Sequence, residues 1–600
     1  MYNRFMPPLS PFDFLQKTKS EEELPDKLLF YSPHKKAVEA IEPDLRTLLP
    51  AELYANLYVA KWADAGVDKE KLLEQFRSFE KEQREELIEQ IKQKNREDGE
   101  KLLPVFNHLA ALQKILSDYT SSLITEKRVD SPRSLLLRRN GALMFTDLAG
   151  FTKLMEAYAG KGKDGAEDLL KHLTSYFTSI IEVISKAGGE LLEFTGDALF
   201  VLFPIPSRHG DEEKNRNELR KAVIRAVRAG VRMQEAMESF KKIETDRGPL
   251  TLQMRIGIHA GGFYSTDVGT PRRKEHVLLG RNVQLAKKTE SNGENGRVNL
   301  SLEAHHYVSG EKEFAFKEGK PGYMLLEHSD KDTSGFDITA KTTTRRLASA
   351  ILEEKNFNGA MNRIQDLLDA IKQFASFIPS PVLNLIVESA AQRRIPADFP
   401  SPTVMFVNFI GLPEMIDKGI YDEESIVESF NDTFARINAA VEKRGGVLKK
   451  ITYHLTGSDI VIYFGVPTAH TNDPMRAASA ALEIREIIRD AKVPRLMEGI
   501  SEPETEADGK PKIYSQIGIN LGPTFVAEIG HPRGRREFNV LGDTVNTTAR
   551  LMSYAGVNEI LVSDAVKMEI EEKYDCESIG EVSLKGKGAP MALYKLGQSK

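Results

Sequence analysis

Two aspartates stand where apolar strands end. Asp147 closes the run "GALMFTDLAGF" at residues 141–151, and Asp197 sits in the turn of "FTGDALFVLF". A carboxylate at the end of a buried strand is costly without compensating charge. Two of them about 4 Å apart repel by about 4 kcal/mol at an effective dielectric near 20. A divalent cation shared with substrate phosphates and water resolves the conflict, and oxygen ligands this few suit magnesium or manganese. The plainer alternative has Asp147 capping the helix of "DLAGFTKLMEAY" and Asp197 filling a turn. A second set lies in "EFNVLGDTVNTTARLMS", where Asn546 and Arg550, four apart, project from one helix face. An arginine there binds phosphate oxygens bidentately, and an asparagine holds a sugar hydroxyl.

The elements that position these residues occur twice. Asp147 matches Asn408, Gly196 matches Gly457 and Gly257 matches Gly518, each at an offset of 261, while Gly280 matches Gly542 at 262. The spacing from the double glycine to the turn glycine differs: 188 to 196 in one copy, 445 to 457 in the other. Four extra residues at a hairpin tip cost little. Each copy alternates short apolar strands with amphipathic segments, the texture of an α/β or α+β domain. In the first, Leu169, Leu170, Leu173, Phe177, Ile180, Ile181 and Ile184 make one helical face that Gly188 and Gly189 terminate. A hairpin of "ELLEF" and "ALFVLF" follows.

The copies have diverged in opposite directions. At the two acids the second copy carries Asn408 and Ser458, which cannot hold a divalent ion. It has Lys449 and Lys450 where the first has Leu192 and Glu193, and Asn546 and Arg550 where the first has Gln284 and Lys288. One composite site, with metal ligands from one copy and base, sugar and phosphate ligands from the other, leaves its mirror image free to decay.

Six hundred residues exceed a single core. The net charge of -6 gives no basic field for nucleic acid, and no apolar run reaches the length of a membrane helix. Prolines in "MYNRFMPPLSPFDF" interrupt the place of a signal-peptide core, and Cys576 is the single cysteine, so a soluble cytoplasmic chain without disulfide or zinc is expected. Residues 35–127 read as helices, with "FEKEQREELIEQIKQKNREDGEKLL" a solvated or regulatory arm. The expected division is a mainly helical region at 1–137, a first domain at 138–310, a linker with one helical stretch at 311–398 and a second domain at 399–598.

The stretches "MFTDLAGFTKLME", "GGELLEFTGDALFVLFP", "MRIGIHAG", "GDTVNTTARL" and "LKGKGAPMALYKL" resemble class III nucleotide cyclases. Acids in the first copy and "VMFVNF" in the second are most similar to the tandem catalytic core of the soluble adenylyl cyclases. The resemblance implies an α+β fold of two ferredoxin-like cyclase domains paired as an intramolecular pseudo-dimer, in a monomer with ATP as substrate. It implies two divalent cations, Mg2+ or Mn2+, on Asp147 and Asp197, and conversion of ATP to cyclic AMP and pyrophosphate. Arg550 stabilises the α-phosphoryl group, Asn546 orients the ribose and Lys450 recognises adenine. Lys449 is set aside because neighbouring strand residues face opposite ways. Asn539 stands at a base-selecting position; an amide both donates and accepts, so ATP is favoured with less discrimination than a carboxylate gives. Arg272, beside Arg273, matches a triphosphate contact. Glu193 and Lys287 fall where soluble cyclases hold bicarbonate; a glutamate repels that anion, and an ion pair between the two is expected instead. The alternatives are a guanylyl cyclase and a nucleotide-binding regulatory pseudo-cyclase that meets a partner protein through its N-terminal helices.

Two further signals are discounted. "GKGKDG" at 160–165 lacks phosphate-loop spacing and reads as a mobile basic loop. His259, on an apolar strand, reads as a satisfied core histidine.

Overall fold

The computed structural model describes residues 35–56, 78–125, 136–206, 212–329, 350, 352, 356–390, 395–453, 456–500, 513–532, 534–584 and 589–600. The chain divides into two compact units. One comprises Met1–Leu116, Leu347–Ala375 and Asn384–Arg393; the other comprises Ser117–Arg346, Ser376–Leu383 and Arg394–Lys600 and holds both sequence copies.

Helices α1 (Lys35–Leu48), α2 (Ala51–Asn56), α3 (Lys81–Tyr119) and α4 (Ser122–Thr125) come first. In the first unit Ile41, Leu45 and Leu48 of α1 are buried, as are Leu102, Val105, Leu109 and Leu112 of α3. His108 binds the Leu48 carbonyl at 3.0 Å. The charged first half of α3 is mostly exposed, as expected of a solvated arm.

The first copy runs β1 (Leu137–Ala149), α5 (Phe151–Ala159), α6 (Gly162–Lys186), β2 (Glu190–Thr195), β3 (Ala198–Pro204), α7 (Glu212–Met237), β4 (Gln253–Thr270), β5 (Arg273–Leu279), α8 (Arg281–Ser291), β6 (Val298–Ser301), α9 (Leu302–His306), β7 (Phe314–Glu318) and β8 (Tyr323–Ser329). Its strands order β2-β3-β1-β4-β6-β8-β7, with β5 on the distal half of β4. The apolar face of α6 is buried at the expected spacing, from Leu169 to Ile184. It ends where Gly188 takes φ 72, a conformation that only glycine adopts without strain. Each fully buried Ile or Phe on that face contributes about 1.5–3 kcal/mol; Ile180→Asp would break it.

After α10 (Phe357–Ala375) and α11 (Ser380–Ser389), the second copy repeats the plan. It runs β9 (Thr403–Ile410), α12 (Met415–Lys418), α13 (Glu423–Glu442), β10 (Val447–Tyr453), β11 (Ser458–Phe464), α14 (Asp473–Arg489), β12 (Tyr514–Leu521), β13 (Phe525–Gly530), β14 (Arg536–Leu541), α15 (Asp543–Tyr554), β15 (Glu559–Ser563), α16 (Asp564–Ile570), β16 (Tyr574–Val582) and β17 (Met591–Ser599). The order β10-β11-β9-β12-β15-β17-β16 is that of the first sheet, position for position. Both sheets are mixed, because β4 with β6 and β12 with β15 pair in parallel.

Each copy reaches into the other with a hairpin arm. Val268, Val277 and Leu279, from β4 and β5, are buried in the core of the second copy. Phe525, Ala527, Ile529 and Leu541, from β13 and β14, are buried in the core of the first. The arms are fastened by flanking chain as well: Tyr119 donates to Glu528 at 2.5 Å, and the Lys274 backbone N–H donates to the Ser376 carbonyl at 2.6 Å.

Two expectations change here. The first sheet does not stop at residue 310: β7 and β8 continue it to Ser329, inside the stretch expected as linker. "GKGKDG" is a tight helix junction instead of a loop. There α6 begins at Gly162, and a Cβ on Gly165 would lie 2.1 Å from the Tyr158 carbonyl oxygen. The polar stretch 330–346 lies outside the described residues. Among the described residues no helix is long and apolar enough to cross a membrane.

Candidate active site

Antiparallel pairing sets Asp147 of β1 opposite Arg255 of β4. Arg255 Nη2 lies 2.5 Å from Asp147 Oδ2, and its Nε lies 2.8 Å from Glu290 Oε1. Burial and the Asp147 charge push the Glu290 carboxyl up to about 7. Asp197 follows Gly196 in the β2–β3 turn; burial first and Asp147 second push it up to about 8. The Tyr176 hydroxyl, buried in the field of both aspartates, has no hydrogen-bond partner. This corner holds three carboxylates and one guanidinium, so its donor set is short of positive charge. Among the described residues no three or more His, Cys, Asp or Glu form a metal cage. A pair of carboxylates fits hard cations that keep water and substrate phosphates as their remaining ligands.

The matching β9–β12 pair of the second copy is uncharged, although the buried Asp459 of β11 lies opposite Asn408 on its other side. Asn408 of β9 pairs with Gln516 of β12, donating to its Oε1 at 3.4 Å. A Cβ on Gly257 would meet the Glu290 backbone N, and one on Gly518 would meet the Met552 backbone N, so Met552 stands where Glu290 does. Asp, Arg and Glu in one copy have become Asn, Gln and Met in the other.

Lys450 has the same ladder position as Glu193: Glu193 pairs with Phe200, Lys450 with Val461, each after a bulge that skips the preceding residue. The skipped residues are Leu192 and Lys449. A bulge breaks strand alternation, which overturns the expectation that Lys449 faces away. Lys449 Nζ lies 3.1 Å and Lys450 Nζ 3.4 Å from Glu537. Burial pushes Lys449 down to about 8, and Glu537, held by both lysines, falls to about 2. Asn539, two residues along β14, is buried and its Nδ2 has no partner.

The β13–β14 arm carries α15 to the carboxylates. A Cβ on Gly196 would lie 3.9 Å from Leu541, and one on Gly542, at the start of α15, would press on Met155 of α5. Asn546, one turn in, is exposed; Arg550, a turn later, buries an Nη1 that has no partner. The unpaired Asn539 amide and Arg550 guanidinium are groups a ligand can satisfy. At the mirror position Asp417 accepts a hydrogen bond from the Arg281 backbone N–H at the start of α8. A side-chain carboxylate thus occupies a helix N-terminus that would otherwise favour phosphate. Gln284 and Ser458 line the small cavity beside it.

Two expected residues lie elsewhere. Arg272 is exposed at the β4–β5 turn, at the opposite end of β4 from the carboxylates, because the arm carries it onto the second copy. Arg273 is buried there, bonding Glu275 at 2.9 Å and the Leu448 and Lys449 carbonyls. Glu193 does not pair with Lys287: it faces Lys450, Glu275, Glu537 and Arg535 in the central cavity, and burial pushes it up to about 8. Lys287 instead sits in the field of Glu290. His259 is a satisfied core residue, bound to Ser301 at 2.8 Å and Asn282 at 2.9 Å. Arg255, Glu290 and Glu537 escaped the sequence reading. A signal for the first was present: "MRIGIHAG" has Arg where "SQIGINLG" has Gln, the same charge loss as at Asp147 and Asn408.

Residues 138–333 and 397–597 match the family model described as adenylate and guanylate cyclase catalytic domain. Adenylate cyclase type 10 of Rattus norvegicus is 23% identical over 425 residues, covering 69% of this chain and 24% of that protein. The chain thus spans about a quarter of that relative's length. Adenylate cyclase 1 of Rhizobium meliloti is 26% identical over 255 residues, covering 42% of this chain and 35% of that protein. Among solved structures, the adenylyl cyclase CyaB from P. aeruginosa is 22% identical with a TM-score of 0.28, covering 34% of this chain and 98% of that one. A class III adenylyl cyclase-like ATP-binding protein from Pseudomonas aeruginosa is 15% identical with a TM-score of 0.46, covering 76% and 92%.

Proposed function

This chain belongs to the adenylate and guanylate cyclase catalytic-domain family, and on that premise we propose that it converts ATP to 3′,5′-cyclic AMP and pyrophosphate at one composite site. The observation that carries the reading is the complementary loss of function between copies. The first keeps the charged corner of Asp147 and Asp197, and the second keeps Lys450 on β10, Asn539 on the arm that packs into the first copy, and Asn546 and Arg550 on helix α15 that follows the arm.

Asp147 and Asp197 would hold divalent cations, Mg2+ or Mn2+, which when bound supply positive charge to the triphosphate and acidify the ribose 3′-hydroxyl. The chain's own residues do the rest. Lys450 and the Asn539 amide, which both donates and accepts, offer hydrogen bonds to the edge of the base. Asn546 holds the ribose so that its 3′-oxygen approaches the α-phosphorus in line with the departing pyrophosphate oxygen. Arg550 places its unpaired Nη1 on the α-phosphoryl oxygens, where charge builds as the bond to pyrophosphate breaks. Asp417 closes the mirror site, so one nucleotide is turned over per chain.

The test is cyclic nucleotide production by purified protein with Mg2+ or Mn2+ and with ATP or GTP, beside Asp147→Asn, which copies Asn408. Cyclic AMP from ATP, lost in the variant, is the expected result. Cyclic GMP alone would assign the other base, and nucleotide binding without product would make the chain a regulatory binder.

A further inference from the structure

The central cavity between the copies holds more charge than base recognition needs. It is lined in part by Glu193, Glu275, Lys449, Lys450, Arg535 and Glu537. Glu275 is taken by Arg273 at 2.9 Å. Arg535 spends Nη1 on the Tyr119 and Arg536 carbonyls, at 2.7 and 2.8 Å. Glu193, which burial pushes up to about 8, makes no ion pair within 4 Å among the described residues, and Glu537 is the carboxylate that Lys449 and Lys450 share.

The two lysines hold it unequally. Lys449 Nζ is 3.1 Å from Glu537 Oε1 and also donates to the Phe538 carbonyl. Lys450 Nζ lies 3.4 Å from both oxygens, at the long end of hydrogen bonding. Lys450 can therefore leave without stranding the carboxylate, provided Lys449 stays. The bulge makes this possible, since a regular strand would turn the two side chains to opposite faces. The equivalent residue of the first copy, Leu192, has no charge.

We propose that Lys449 is a positioning residue that keeps Glu537 engaged, so that Lys450 is released to the purine. The inference rests on the reading of Lys450 as the base contact. Without Lys449, Glu537 captures Lys450 as its nearest remaining counter-ion, and a nucleotide must break a buried ion pair before it binds.

The experiment compares the full chain with K449M, K449R, E537Q and K449M/E537Q. Steady-state kinetics with ATP should show KM raised about tenfold in K449M, with kcat within about twofold. K449R and the double variant should return to within about threefold of the parent. A role in folding alone would lower the thermal midpoint of K449M, which removing Glu537 would also restore, but it would leave Lys450 acylation in the folded chain unchanged. In parallel, acylation of Lys450 by an amine-reactive ester, read by mass spectrometry without nucleotide, should slow in K449M and recover in K449M/E537Q. This second readout stands apart from catalysis. If no cyclic nucleotide forms but Lys450 labelling follows that pattern, the cyclase reading fails and the role of Lys449 holds. Labelling and KM unchanged in K449M, or a double variant no better than the single, would overturn the inference.

Discussion

Replacing Arg255 by Gln copies residue 516 of the other repeat, yet by itself it should damage the protein. Arg255 lies between Asp147 and Glu290, and no other cation touches either carboxylate among the described residues. Removing one partner of a buried ion pair costs about 3–5 kcal/mol. The Asp147 and Arg255 side chains are 32% and 31% exposed, so solvent screening brings the figure down to about 2–3 kcal/mol. For a domain of this size that lowers the thermal midpoint by about 5–10 °C. The triple variant D147N/R255Q/E290M should sit within about 2 °C of the parent, because a buried ionic cluster exchanged whole for neutral side chains of similar volume strands no charge. The two copies are already such a pair of solutions. Differential scanning calorimetry at pH 8, where Glu290 is ionised in the parent, measures the coupling between sites. A triple variant that melts as low as the summed single losses would refute the account, since the three residues would then act independently.

Further outcomes follow from the same geometry. Arg550→Ala should lower kcat by about 10²–10³ with little change in KM, because its free Nη1 meets charge that develops only as the bond breaks. Asn539→Asp should raise the kcat/KM ratio of ATP over GTP by about tenfold, since a carboxylate accepts from the adenine amine but rejects the guanine carbonyl. Arg272→Ala, at the far end of β4, should leave both constants within about twofold. The Glu537 carboxyl lies near 2 in the folded chain against 4.5 unfolded. Its contribution is therefore fully present above about pH 4.5 and is lost as pH falls toward 2; E537Q should melt with a shallower pH dependence across that window.

The repeat was legible because landmark glycines and acids recur at fixed offsets, and glycine at a close approach tolerates no substitute. Gly257 and Gly518 each pack against a helix backbone, so their spacing survives while neighbours drift. Counting from the double glycine placed Lys450 opposite Glu193, and the ladder registers agree. The failures share a cause: local rules were applied where distant segments decide. Alternation set Lys449 aside, but the bulge returns it to the cavity. Resemblance joined Arg272 to the triphosphate, although the arm carries it onto the other copy. Resemblance set Glu193 and Lys287 in one pocket and their opposite charges joined them, while the fold surrounds Glu193 with Lys450, Arg535 and two glutamates. Glu290 lies on a helix far from Asp147 in sequence, and only the packing of α8 under Gly257 brings them together.

The fastening of the β13–β14 arm limits how short an active fragment can be. Asp118 and Tyr119 precede the matched family segment, yet Tyr119 binds Glu528, Asp118 lies 3.4 Å from Arg536, and Arg535 donates to both of their carbonyls. A fragment cut at residue 138 would leave Arg535 without those two carbonyls and Arg536 without Asp118. The boundary drawn by sequence similarity thus leaves out chain that fastens the arm, and a fragment that keeps this fastening begins before Asp118.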